Sequence, residues 1–77
     1  MISRGISARE FIKALEADGF YLARTEGSHR RYKHKDGRAV TVAYHHTSDT
    51  FVIKTLSRMF DATRWTEDDL RRLNLIK

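Results

Sequence analysis

The sequence predicts an α+β fold in one domain, residues 1–77: a helix, a three-stranded antiparallel sheet, a second helix and a short C-terminal helix. Three observations predict it. Apolar residues recur at helical spacing before residue 18 and after residue 51. Three short runs, two of them rich in β-branched and aromatic residues, fill the middle, and glycines stand at the junctions. A chain of 77 residues, 40% of them hydrophobic, can bury one small core.

Ser7-Ala8-Arg9-Glu10 has the spacing of a capping box, with Ser7 as N-cap and Glu10 at N3. Ala8, Phe11, Ile12 and Leu15 then fall on one helical face, and Gly19 stands where a left-handed cap ends the helix. Residues 20–24 alternate around Phe20 and Leu22 as strand one, and Glu26-Gly27-Ser28 makes a turn. Strands two and three are expected over residues 29–34 and 39–44. Thr47, Ser48 and Asp49 offer caps or loop chemistry before Val52, Ile53, Leu56, Met59 and Phe60, again helically spaced. Thr66-Glu67-Asp68-Asp69 opens the last helix, through Leu70 and Leu73, with carboxylates where the helix dipole favours them.

Register decides which side chains share a face of the sheet. A two-residue Asp36-Gly37 loop would set Lys33 against Val40 and Arg31 against Val42, mixing charge with the core. A three-residue loop, Lys35-Asp36-Gly37 with Gly37 left-handed, pairs His34 with Arg38, Tyr32 with Val40 and Arg30 with Val42. Only this second register collects Tyr32, Val40 and Val42 on one apolar face, so it is the one expected. It leaves His29, Arg31 and Lys33 on the open side with the small Ala39, Thr41 and Ala43. Tyr21 shares that parity; it can stack a base there, although an ordinary half-exposed strand tyrosine is the plainer reading.

Charge points to a partner class. Fifteen basic residues against ten acidic give +5, and residues 24–38 hold six cations (Arg24, Arg30, Arg31, Lys33, Lys35, Arg38) against Glu26 and Asp36. Such localised charge attracts a polyanion, most often nucleic acid, and small neighbours let a sugar-phosphate backbone approach. The alternative is a solvated strand edge whose cations discourage aggregation. The absence of cysteine excludes disulfides and thiol catalysis and agrees with a cytoplasmic location. No apolar run reaches membrane-spanning length, so no membrane partner is expected. Ser3, Arg4 and Ser7 interrupt the start before a signal peptide can form.

The histidines divide by position. His29 follows the Gly27-Ser28 turn on the basic open face, where an imidazole can exchange a proton with a ribose hydroxyl; a surface histidine in a basic strand is more commonly only that. His34 lies beside the hairpin loop, structural or solvated. His45 and His46, adjacent in an extended segment, point apart and cannot chelate one ion. Asp49 stands nearly alone, too few carboxylates for a two-metal nuclease, so no metal or other cofactor is expected.

Gly19-Phe20 through Leu22, then Arg24, Gly27-Ser28-His29 and Tyr32, resembles the HicA family of mRNA interferase toxins. Val40-Thr41-Val42, His45-His46 and Thr55-Leu56 continue the resemblance, which covers roughly residues 7–73. Two departures stand out: the family usually has Pro-Gly before Thr-Leu, where this chain has Ile53-Lys54, and the Thr63-Arg64-Trp65 segment is longer than typical. The resemblance implies a double-stranded-RNA-binding-domain-like fold, a ribonuclease acting on single-stranded stretches of mRNA, a HicB-like antitoxin partner, and His29 as the catalytic histidine. His29 would take the 2′-hydroxyl proton or give one to the leaving 5′-oxygen, with His45 or His46 as the second acid or base. Arg24, Ser28, Arg30, Arg31 and Lys33 are the candidate RNA-binding residues. The rivals are a non-catalytic RNA-binding module of the same fold and a DNA-binding partner in the complex of its own operon.

Overall fold

The structure, a computed structural model, describes residues 5–76; Ser3 and Arg4, on which the signal-peptide argument leaned, lie outside them. Its elements are α1 (Ala8–Ala17), β1 (Tyr21–Glu26), β2 (His29–Lys33), β3 (Ala39–Ala43), α2 (Ile53–Thr63) and α3 (Glu67–Arg72). The strands form one antiparallel sheet in the order β1-β2-β3. This is the expected α+β architecture.

Both ends of α1 follow from the sequence. The Ser7 hydroxyl accepts from the Glu10 N–H at 3.2 Å, and the Glu10 carboxylate accepts from the Ser7 N–H at 3.0 Å. The two remaining first-turn donors, the Ala8 and Arg9 N–H groups, reach the carbonyls of Asp49 and Thr47 at 2.8 and 2.9 Å. Thr47 and Asp49 therefore serve α1 rather than capping α2, and they tie the loop after β3 to the first helix. At the other end the Gly19 N–H reaches the Glu16 carbonyl and the Phe20 N–H the Leu15 carbonyl, a Schellman cap. Gly19 has φ +100°, and a Cβ there would meet His34 Nε2 at 2.9 Å.

The core lies between α1, one face of β2 and β3, and α2. Phe11 is fully buried at its centre, with the rings of Phe51, Phe60 and Trp65 around it at centroid distances of 6.1, 6.0 and 5.5 Å. Tyr32, Val40 and Val42 supply the sheet side, and Tyr32 pairs with Val40 and Arg30 with Val42, the register expected. The His34 N–H bonds the Arg38 carbonyl at 2.9 Å and Gly37 is left-handed, so the three-residue loop is the one formed.

Three expectations need correction. The alternation around Phe20 and Leu22 predicts an apolar side of strand one, yet Leu22 is 50% exposed and no residue of β1 is buried. Leu22 does face the Tyr32 side, but β1 is the edge strand away from α2, and the helices do not cover it. Phe20 is buried just before the strand begins. The helical spacing predicts Val52 and Ile53 on the buried face of α2, but they are 69% and 66% exposed, because the helix begins only at Ile53 and its apolar face starts with Leu56. Ile6, Trp65 and Leu75, absent from the expected apolar faces, are all core residues.

The longer segment ahead of α3 has a structural use. Thr63 is fully buried, Arg64 takes the left-handed conformation, and the Trp65 indole N–H donates to the Asp18 carboxylate at 2.8 Å. Arg72 of α3 and Arg38 of the hairpin each reach the same carboxylate at 3.1 Å. Asp18 thus joins the end of α1 to the hairpin and to α3.

Candidate active site on the open face of the sheet

The outer face of the sheet is a grid of three rows across the strands. Glu26, His29 and Ala43 are partners in the first; Arg24, Arg31 and Thr41 in the second; Tyr21, Lys33 and Ala39 in the third. Plain alternation from Tyr21 would send Arg24 to the core side. The β1–β2 register instead shifts between Leu22 and Arg24, leaving Ala23 as an extra residue and bringing Arg24 up opposite Arg31. No clear sequence signal marks that bulge, since Ala23 is a residue any strand tolerates.

His29, Arg24, Arg31, Lys33 and Tyr21 are all exposed on this face. Arg31 Nη1 donates to the Thr41 hydroxyl at 2.9 Å, which steadies its guanidinium over β3. Arg24, Arg31 and Lys33 line a basic hollow of about 250 Å³ together with Ala23. A groove of about 330 Å³ beside β3 is lined by His29 and Arg31 of β2, by Ala39, Val40, Thr41 and Ala43 of β3, and by Thr55, Arg58, Met59 and Ala62 of α2. At Ala43 it meets a hollow of about 280 Å³ lined by Ser28, His45 and Asp49 among others.

The remaining candidates are placed differently. Arg30 points to the opposite side of β2, where Nη1 donates to the carbonyls of Ser28 and Tyr44 at 3.1 Å each and the guanidinium lies 4.0 Å from the Tyr44 ring centre. It braces the end of the hairpin and is not part of the open face. His45 lines the hollow beside Ser28, while His46 lines none of the three spaces described. One Asp49 carboxylate oxygen accepts from the N–H groups of both His45 and His46, at 3.1 and 3.0 Å. The His46 and His45 N–H bonds hold the Asp49 pKa below the ordinary carboxylate value.

His34 is structural. Its Nε2 lies 2.8 Å from the Asp18 carbonyl, and its Nδ1 lies 3.1 Å from both the Asp36 backbone nitrogen and the Asp36 carboxylate. Among the described residues no three His, Cys, Asp or Glu side chains group so as to hold a metal ion.

Gly27-Ser28-His29 thus forms the β1–β2 turn and opens the first row of the grid, with Gly27 at φ +58°. A family model described as "HicA toxin of bacterial toxin-antitoxin" matches residues 8–65, well over half the chain. The chain belongs to the HicA toxin family. No curated protein matches it significantly. The HicA match begins at the first residue of α1 and ends at Trp65, so it spans the sheet and both helices that frame the core, with α3 beyond it. The order helix, three antiparallel strands, helix is the double-stranded-RNA-binding-domain-like arrangement that the HicA resemblance implied. Among the described residues no helix is long and apolar enough to cross a membrane.

Sequence reasoning missed Arg58. The charge count located its excess in residues 24–38, and the reading of α2 looked for its buried side. Its signal was the wheel of α2, where Thr55, Arg58, Met59 and Ala62 share one face at i, i+3, i+4 and i+7.

Proposed function

We propose that this HicA-family chain is an mRNA interferase, a metal-independent endoribonuclease that cuts single-stranded stretches of RNA with His29. A HicB-like antitoxin protein restrains it, and both act in the cytoplasm. The observation that carries the reading is the position of His29: exposed, in the row next to Arg24 and Arg31, and lining a groove with the small side chains of Ala39, Thr41 and Ala43.

Two proton transfers accompany the cleavage. One imidazole takes the proton of the ribose 2′-hydroxyl, whose oxygen attacks the adjacent phosphorus; the bond from phosphorus to the 5′-oxygen breaks, and a second group protonates that oxygen. His29 performs one transfer. His45, beside Ser28 where the two spaces meet at Ala43, is better placed for the other than His46. Arg31, with Arg24 and Lys33 behind it, stabilises the charge that builds on the phosphorane oxygens. Arg30 is removed from that role by its bonds to Ser28 and Tyr44.

The test is to incubate the purified protein with RNA in EDTA and analyse the ends. The mechanism expects 2′,3′-cyclic phosphate and 5′-hydroxyl ends without any divalent ion. Ends bearing 5′-phosphate and 3′-hydroxyl, formed only with Mg²⁺, would overturn it. RNA bound but uncut with and without Mg²⁺ would leave a binding module.

A further inference from the structure

Arg58 lines the groove beside β3 from α2, in the same space as His29 and Arg31 of β2. No aspartate or glutamate lines that groove. Among the described residues Arg58 makes no ion pair or hydrogen bond through its side chain. The contrast with Arg38, Arg71 and Arg72, each held by carboxylates, is direct. Asp61, one turn further along α2, makes no ion pair with it. A guanidinium without a partner on α2, lining the same groove as the Arg31 guanidinium and the small side chains of Ala39, Thr41 and Ala43, offers an anion a second cation. About 330 Å³ lies at the low end of small-ligand sites, roughly 300–1,000 Å³, which suits a single sugar-phosphate unit.

We propose that Arg58 binds the phosphodiester backbone of single-stranded RNA from the helix side of the groove, together with Arg31, so that the strand is held between α2 and the sheet with a ribose at His29. The inference rests on the ribonuclease reading above and adds the track its substrate follows. It also makes α2 part of the binding surface rather than only a support for the core.

The probe is a single-stranded RNA oligonucleotide methylated at every 2′-oxygen, which cannot be cut, titrated over a salt series against wild type, Arg58→Gln, Arg58→Lys and Lys54→Gln. Lys54 is exposed on the same helix but lines none of the three spaces described, so it reports generic charge loss. Gln is a good helix former, and thermal melts confirm that each variant folds. Each single-strand phosphate contact contributes about 0.7 to the slope of log affinity against log salt. Arg58→Gln is expected to lose about that much slope and to bind more weakly, while Arg58→Lys and Lys54→Gln keep the wild-type slope. An unchanged slope and affinity in Arg58→Gln, or an equal loss in Lys54→Gln, overturns the proposal. If His29→Ala abolishes cutting while Arg58→Gln binds like wild type, only the clamp fails. An unsubstituted protein that neither binds nor cuts RNA overturns both.

Discussion

Arg24 and Arg31 stand directly opposite each other across β1 and β2, because the ladder skips Ala23. Like charges in that position destabilise a sheet by an amount comparable to a favourable cross-strand pair, about 0.2–1 kcal/mol. The Arg24–Glu26 pair, 3.4 Å apart and open to solvent, offsets little of it. A polyanion laid over both turns the repulsion into binding. Arg24→Thr is therefore expected to raise the unfolding free energy by a few tenths to about 1 kcal/mol while weakening RNA binding. Urea unfolding and RNA titration of the same preparations check this, and a variant that loses both stability and affinity would contradict it.

The start of α2 is poorly secured. Val52 occupies the N-cap with no side-chain bond, at φ −72° and ψ 158°, and Ile53 is the first helical residue. That backbone suits a residue preceding proline, and proline is favoured at the first helical position. Ile53→Pro, which restores the proline of the resemblance, is expected to stabilise the fold by about 0.4–1 kcal/mol. Val52→Asp is expected to add ~1 kcal/mol by capping. Both should raise the urea midpoint at constant m-value. Destabilisation by Ile53→Pro would show that the helix begins elsewhere.

Asp18 gives the fold an acid limit. Burial pushes its carboxyl up, but the hydrogen bonds from Trp65 and Arg72 and the charge of Arg38 outweigh that and hold its pKa below the ordinary value. A depressed folded pKa means a contribution complete above the unfolded value of roughly 3.9. That contribution is lost as pH falls through the folded value. Asp18→Asn should cost about 1.5–3 kcal/mol at pH 7, the range for hydrogen bonds to a charged group. It should also flatten the fall in melting temperature at acid pH. A parallel pH profile in wild type and variant would exclude this role.

Sequence legibility followed the range of the forces involved. The capping box at Ser7, the helix start at Thr66, the left-handed Gly19 and Gly37 and the hairpin register all rest on residues close in sequence, and each was found where expected. The β2 and β3 part of the open face followed from that register, whereas Arg24 joins it only through the bulge at Ala23. Leu22, Val52 and Ile53 went wrong because a local apolar pattern does not tell whether a helix or strand lies opposite. Ile6 was legible in principle: it precedes the Ser7 cap and, with Phe11 at N4, occupies the staple positions, both fully buried. Arg30 and Arg38 count among the cations of residues 24–38, but beyond their near neighbours Ser28 and Asp36 they are held by Tyr44, Asp18 and Thr63, which are distant along the chain.

Face assignment can be read from substitutions in β2. Arg31 and Lys33 are exposed, whereas Tyr32 is buried. The Arg31→Ala/Lys33→Ala double variant should melt nearly like wild type and flatten the salt slope of RNA binding by roughly 1.4. Tyr32→Ala should destabilise the fold by ~3 kcal/mol. If the double variant unfolds while Tyr32→Ala is thermally silent, the open face is assigned to the wrong side.

The central claim is that His29 is the catalytic imidazole, and one comparison tests it most directly: single-turnover cleavage of RNA in EDTA by wild type and by His29→Ala, with binding to 2′-O-methyl RNA measured on both. His29 is exposed at a strand position with little packing, so the variant should keep its melting temperature and RNA affinity. Cleavage should fall by ~10²-fold or more, the range for loss of a general acid or base. Cutting at a near wild-type rate by folded His29→Ala protein would contradict the account.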